Sequence, residues 1–274
     1  MKIQEIKTRL IGIFGSRFVS YIQAVRFVYL LKSNRNLEPE IGIIQHLLKR
    51  GDVAIDVGAN GADWTYRLHR CVGDHGVIYA FEADPYYAMA TDAAIKLLHL
   101  RGVVVFPFGL SDKDQEVVLR VFDDRNVRLA GRGYVDKNAS RGDSGTEVIQ
   151  LRRLDSLVQE YPQIAQASLI KCDVEGFELF VFRGASAVLA KSRPVVILEV
   201  GNYHQHGYSA QDVYDFFAAI DYLPFAMIGK DKISPTNLML EHPQALSVNR
   251  ILIPREKVDS ISAAEHLGLL AEKP

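Results

Sequence analysis

Cysteine is scarce in this chain: Cys71 and Cys172 are the only two among 274 residues. One lies in a helical stretch and the other inside an apolar strand-like run, a placement with neither a disulfide framework nor metal-ligand spacing. No His/Cys set points to zinc, and a reducing cytoplasm is the compartment implied. Also missing is any uncharged apolar run near the ~20 residues that span a bilayer, and the start lacks signal-peptide order. The chain is expected to stay inside the cell. There is no repeat and no low-complexity tract. Beyond the first 35 residues no basic stripe carries interleaved aromatics, which argues against a nucleic-acid partner.

What remains is the composition of a globular protein, 48% hydrophobic and 24% charged, long enough for one large core. The net charge of -1 hides an asymmetry. Residues 1–35 hold seven Lys or Arg against Glu5, a balance of +6, so the remainder is -7. Ile3, Ile6, Leu10, Ile13, Phe14, Ile22, Val25, Val28 and Tyr29 recur there at near-helical spacing. Residues 1–45 are therefore expected as a basic amphipathic helical segment ahead of a main domain over 46–274. Its stripe suits peripheral contact with an anionic membrane, on the inner face, or packing against the main domain or a second subunit of a homo-oligomer.

From Val53 onward short apolar runs alternate with helical patterns. VAIDV (53–57), VIYAF (77–81), VVVFPF (103–108), SLIKCDV (168–174) and VVILEV (195–200) read as strands. Helices are expected over 62–71, 85–100, 177–189 and 211–220, the last opened by a capping box of Ser209 and Asp212. This order predicts an α/β fold with a mostly parallel sheet covered on both faces. QEVVLRVF (115–122) and TEVIQL (146–151) read as additional strands of a hairpin around a polar, glycine-rich segment, 123–145, expected as a mobile surface loop.

Ligands of such sheets bind beyond the carboxyl ends of the strands, so AIDVGANGADWT (54–65) draws attention first. A dinucleotide fingerprint needs G-x-G-x-x-G, yet Asn60 stands at the second glycine and Asp63 at the third. Asp56 at the strand end repels a pyrophosphate and attracts a cation. S-adenosylmethionine, with a sulfonium and an ammonium, fits better than NAD. Glu82, ending the second strand, suits the ribose hydroxyls of either cofactor. The plain alternative is that Asp56 and Gly58 only make a polar turn.

DVGAN (56–60), YAFEADP (79–85), RLDSL (153–157), IKCDVEGFELFVFRGA (170–185) and VILEV (196–200) together resemble an FkbM-type methyltransferase, over roughly residues 50–254. The resemblance implies a class I methyltransferase (Rossmann-like) doubly wound sheet of seven strands, the last antiparallel, and methyl transfer from S-adenosylmethionine to oxygen. YLPFAMI (222–228) and ALSVNRILIP (245–254) would be its sixth and seventh strands. Two departures stand out: Ala62 replaces the last glycine of D-V-G-A-N-x-G, with Gly61 beside it, and Ala83 replaces a proline. By position, Asp56, Gly58, Asn60, Gly61 and Thr65 are expected at the methionine end, Glu82 at the ribose, and Ser111 and Asp112 near the adenine. Those last two read equally well as a cap.

An aliphatic hydroxyl must lose a proton as it is methylated. Asp173 and Glu175 leave one strand two residues apart and Glu199 ends the next, so three carboxylates are expected at the cleft. His204 and His206, in the following loop, are alternative bases, and the carboxylates are alternatively ligands for magnesium. The reading is O-methylation of a hydroxyl acceptor, on the resemblance a sugar of a glycan, glycolipid or glycosylated natural product. An NAD-dependent oxidoreductase and a non-catalytic cofactor-binding scaffold are the alternatives.

Overall fold

The computed structural model describes residues 10, 13, 15–33, 38–123, 127–129, 133–201, 203–229, 232–236 and 248–262, with only the backbone of His204 and Ser262. Parts of three expectations lie outside these residues: most of 1–15 and 34–37, the loop positions 124–126 and 130–132, and 245–247 of the last strand.

Two sheets carry the fold. The strands are β1 (Val53–Val57), β2 (Val77–Phe81), β3 (Val103–Phe106), β4 (Gly109–Leu110), β5 (Gln115–Arg120), β6 (Tyr134–Val135), β7 (Thr146–Arg152), β8 (Ala167–Cys172), β9 (Val195–Glu199), β10 (Tyr222–Gly229), β11 (Lys232–Pro235) and β12 (Asn249–Pro254). The main sheet runs β11-β10-β12-β9-β8-β1-β2-β3. Its five strands from β9 to β3 are parallel, whereas β12 is antiparallel to both neighbours. The antiparallel last strand is thus inserted between β9 and β10, and a short hairpin strand, β11, adds an eighth at the edge of the expected seven.

Near-continuous apolar strands follow from burial on both faces. In β1, Val53, Ile55 and Val57 join one core with Val213 and Phe217. Ala54 points the other way, into a second core with Trp64, Leu68 and Val72. The helices are α1 (Ser16–Ser33), α2 (Asp63–Val72), α3 (Pro85–Leu97), α4 (Glu178–Arg183), α5 (Ser186–Ser192), α6 (Ala210–Ala219) and α7 (Arg255–Ser262), with short helical turns between; α2 and α6 supply the partners just named. The helix expected over 177–189 is two helices, broken at Gly184 and Ala185. Ser209 and Asp212 form the capping box of α6.

The second sheet, β4-β7-β5-β6, comes from the insertion after β3. Its hairpin pairs Gln115 with Leu151 through Arg120 with Thr146. The segment 123–145, expected as a mobile loop, contributes β6, whose Leu119–Val135 and Arg120–Tyr134 pairs extend that sheet. It is also pinned by Arg128, buried between the rings of Tyr86 (4.8 Å) and Phe122 (5.1 Å). Its guanidinium bonds Asp84, and Glu147 at 3.1 Å. Apolar side chains and two acids hold this segment down where composition alone suggests solvent.

Helix α1 departs from the amphipathic expectation. Val19, Ala24, Phe27 and Leu31 face inward, packing on Tyr86, Tyr87 and Ala90 of α3 and on Ala62. The opposite face carries Tyr21, Ile22, Val25 and Tyr29, all exposed. The helix is apolar on two sides rather than one.

Candidate active site

A cavity of about 370 Å³ opens at the carboxyl ends of β1, β2 and β8. The turn after β1 forms its base. The N–H groups of Gly58 and Ala59 both donate to the Phe81 carbonyl, at 2.9 and 3.0 Å, and Asp173 N–H donates to Val57. Gly58 has φ +84°, and a Cβ there would lie 1.9 Å from the Asp173 carbonyl oxygen. No other residue type fits both demands. Asn60 (φ 41°) and Ala62 (φ 63°) are also left-handed. Ala62 adopts the conformation a glycine favours, which gives the D-V-G-A-N-x-G departure a physical meaning.

Glu82 leaves β2 into this turn. Its Oε1 accepts from Asp84 N–H and its Oε2 from Asn60 N–H, both at 2.8 Å. Burial pushes its carboxyl up to about 7 against those two bonds. The carboxylate is thus oriented before any ligand arrives, with lone pairs left for hydroxyls. Asp84 in turn caps α3 and bonds Arg128. The insertion is therefore tied to the Glu82 carboxylate through one residue. Arg128→Ala should weaken cofactor binding about fivefold, the scale of one displaced hydrogen bond, measured by calorimetric titration.

The end of β8 supplies the second cluster. Lys171, only 1% exposed, lies with its Nζ 3.5 Å from Asp173, 3.4 Å from Asn249 Oδ1, 3.9 Å from Glu38 and 5.3 Å from the Trp64 ring centre. Two residues apart on a strand, Lys171 and Asp173 share a face. Asn249 donates to Glu38 (2.7 Å) and Glu40 (3.1 Å), anchoring the segment before β1 to the last strand. Glu199 is hydrogen-bonded to Asp173; burial first, then that neighbouring charge, pushes its carboxyl up to about 8. The neighbouring negative charge favours the protonated form of Glu199. Glu175 sits at φ 54° and lines the cleft. Its turn is held by Glu178, whose Oε1 accepts from Val174 N–H at 2.9 Å and Gly176 N–H at 3.3 Å. A left-handed Glu in this turn is backbone strain at the cleft.

Of the residues expected here, Gly58, Asn60, Gly61, Glu82, Asp173 and Glu175 line the cleft, whereas Glu199, the third expected carboxylate, does not and is hydrogen-bonded to Asp173. Asp56 and Thr65 do not: Asp56 faces α2, buried, with Thr65 Oγ1 donating to it at 2.5 Å. An even-numbered position on β1 points at the helix and not at the ligand, so Asp56 supports the turn from beneath. Burial raises its carboxyl to about 6 despite Thr65 and Lys171. Ser111 and Asp112 lie outside the cleft as well. Ser111 is fully buried, its N–H on the Arg152 carbonyl, and Gly109 and Leu110 line the cleft instead. His206 is buried edge-on to Phe177 at 5.1 Å and does not line the cleft, although Phe177 does. The side chain of His204 lies outside the described residues. Asp173, Glu175 and Glu199 make no cation cage: among the described residues no three His, Cys, Asp or Glu are arranged to hold a metal ion. The magnesium reading is not supported by this donor set.

Sequence reasoning missed Glu38, Trp64 and Lys171. A lone lysine inside the apolar run SLIKCDV was the available signal, since a buried lysine needs partners. Glu38 carried none, because its neighbours in the fold are remote in sequence.

Burial raises Asp56, Glu82, Glu178 and Glu199 together. Each binds its proton more tightly folded than unfolded, so folding takes up protons between roughly pH 4 and 8. The ligand-free protein should be most stable near the acid end of that window and lose stability as pH rises to 8. Calorimetric melting across the range checks this; a flat or rising profile contradicts it.

Six acids line the cleft, Glu38, Asp63, Glu82, Asp84, Asp173 and Glu175, and no Lys, Arg or His does so among the described residues. Arg67 and Arg128 offset Asp63 and Asp84, and the single charge of Lys171 offsets one of Asp173 and Glu38. The remaining field is negative, which fits a sulfonium and an ammonium and opposes a pyrophosphate. The volume is also that of a small-molecule site. The sheet, its antiparallel last strand and this turn are those of a class I S-adenosylmethionine-dependent methyltransferase. A family model described as the Methyltransferase FkbM domain matches residues 56–224, more than half of the chain. The chain belongs to that family.

Among solved structures, the fold is similar to an FkbM methyltransferase from Methylobacillus flagellatus at 12% identity and a TM-score of 0.48. That match covers 89% of this chain and 59% of the other, so this chain spans under two thirds of that protein. An O-methyltransferase from Bacillus cereus in complex with SAH matches at 12% identity and TM-score 0.44, covering 90% of this chain and 96% of that one. A SAM-dependent O-methyltransferase from Thermotoga maritima matches at 13% and 0.42, over 82% and 69%. No curated protein matches the chain in sequence.

Proposed function

We propose that this methyltransferase acts on oxygen, methylating a sugar hydroxyl of a glycan, glycolipid or glycosylated natural product in the cytoplasm. The single observation that carries the oxygen acceptor is Asp173, a carboxylate lining the cleft with Lys171 at 3.5 Å and Glu199 hydrogen-bonded to it. The sugar rests on the resemblance to FkbM-type enzymes. When bound, S-adenosylmethionine supplies a sulfonium-activated methyl: the acceptor oxygen bonds to that carbon, the S–C bond breaks, and the hydroxyl proton must leave.

The chain's own residues divide the remaining work. Glu82 orients the ribose, and Gly58, Asn60 and Gly61 let backbone approach the ligand. Asp173 takes the hydroxyl proton. Lys171 is the counter-charge of Asp173 at 3.5 Å, while Glu199, hydrogen-bonded to it, fixes its direction. Excess negative charge in the cleft favours the cationic donor over its thioether product, which carries one positive charge fewer, and so assists release. Incubating the protein with methyl-labelled S-adenosylmethionine and candidate glycans tests the reading. Label in an ether linkage supports it; label only on nitrogen or carbon overturns it.

A further inference from the structure

Helix α1 has a second apolar face with nothing among the described residues on it. Tyr21, Ile22, Val25 and Tyr29 follow helical spacing along one side, with Val25 52% and Tyr29 69% exposed. Arg17, Arg26 and Lys32 are exposed on the same helix, which contains no acidic residue. The sequence ahead of it adds Lys2, Lys7 and Arg9 against Glu5. A water-facing helix in a globular protein is polar on its outer side; this one is not. No described helix is long and apolar enough to cross a membrane.

Two occupants fit an apolar face, a lipid surface and a second copy, and charge separates them. A two-fold pairing would set the three cations of one helix against the same three of its mate. An anionic lipid surface meets them with opposite charge, and tyrosines beside apolar side chains suit the headgroup boundary. Position adds the functional link. On the inner side of α1, the Phe27 ring lies 3.0 Å from where a Cβ on Gly61 would be, and Gly61 lines the cofactor cleft. The outer face is thus about one helix diameter, ~10 Å, from the cleft wall.

We propose that the Tyr21–Ile22–Val25–Tyr29 face of α1 lies on an anionic lipid surface and that the acceptor hydroxyl is borne by the headgroup of a lipid in it. The second half rests on the methyl-transfer reading above; the first does not. A hydroxyl within a headgroup's reach of the bilayer lies at the depth where docking of α1 holds the cleft.

The experiment uses the full chain in two arms. In flotation with vesicles of about 30 mol % phosphatidylserine in phosphatidylcholine, the protein should partition at least about tenfold more than with phosphatidylcholine alone, and high salt should reverse this. Val25→Asp with Tyr29→Asp should remove that preference while melting temperature and S-adenosylmethionine affinity stay unchanged. Failure of the full chain to float, or flotation that survives the double variant, overturns the lipid surface. So does a dimer that becomes a monomer in the variant without vesicle binding, which would mark the face as a contact between copies. In the second arm, label from methyl-tritiated S-adenosylmethionine is followed into a total lipid extract of cells carrying the gene. Label in the organic phase, reduced at least about tenfold in the variant, is expected. Label confined to water-soluble glycans overturns the lipid acceptor and leaves methyl transfer standing. Label in neither fraction overturns both, with the flotation result unaffected.

Discussion

An Asp173→Asn enzyme should fold, bind S-adenosylmethionine with wild-type affinity and turn over at least about 100-fold more slowly. Asparagine keeps the size of the side chain and one acceptor oxygen and removes its capacity to take a proton. Lys171 then loses its nearer counter-charge, at 3.5 Å, and retains Glu38 at 3.9 Å and the Asn249 carbonyl, so the buried ammonium stays paired. Glu199→Gln is the informative companion. Because burial and the Asp173 charge favour the protonated form of Glu199, glutamine imitates that form and most of the turnover should survive. Single-turnover rates separate the two. Wild-type chemistry in the Asp173 variant would remove that residue from the proton's path, and an equal loss in both variants would point to a base acting through Glu199.

Replacing Glu82 by Ala should weaken S-adenosylmethionine about 10- to 100-fold, on the scale of 1 to 3 kcal/mol for hydrogen bonds to a charged group. The side chain acts twice. On the proposed reading it offers lone pairs to the ribose, and it holds the N–H groups of Asn60 and Asp84 at 2.8 Å each. Alanine therefore releases the turn as well as the ligand, and Glu82→Gln, which can satisfy only part of this, should fall between. Titration calorimetry reads both variants. Unchanged affinity in the alanine variant would take Glu82 out of the site.

The parts of this molecule that were legible in sequence are those whose cause is local. VAIDV and VVILEV are strands because a run of branched apolar residues suits a sheet covered on both faces. Gly58 marks a left-handed turn and Glu82 a strand end, and Ser209 with Asp212 spells its own cap. Illegible were the features that depend on which way a side chain turns once its strand is seated. Asp56 reads as a ligand residue by motif, yet its position on β1 sends it to Thr65. Ser111 and Asp112 read as adenine partners, yet the backbone of Ser111 bonds Arg152 and leaves the cleft to Gly109 and Leu110.

Long-range contacts explain the rest. The Glu38–Asn249 bond joins residues more than 200 apart in sequence, and no spacing rule connects them. The stripe in residues 1–35 was visible as apolar recurrence, but recurrence on two faces looks like amphipathicity until one face is seen against α3. Arg128 stood in a segment whose composition says loop, and only its burial between two rings and two acids shows the segment to be tied down.

The central claim is that an acidic cleft behind DVGAN holds a cationic methyl donor. Calorimetric titration of the full chain with S-adenosylmethionine and, separately, with NAD tests it most directly. Saturable binding of S-adenosylmethionine with no response to NAD is the predicted result; saturable binding of NAD with no response to S-adenosylmethionine would contradict the account.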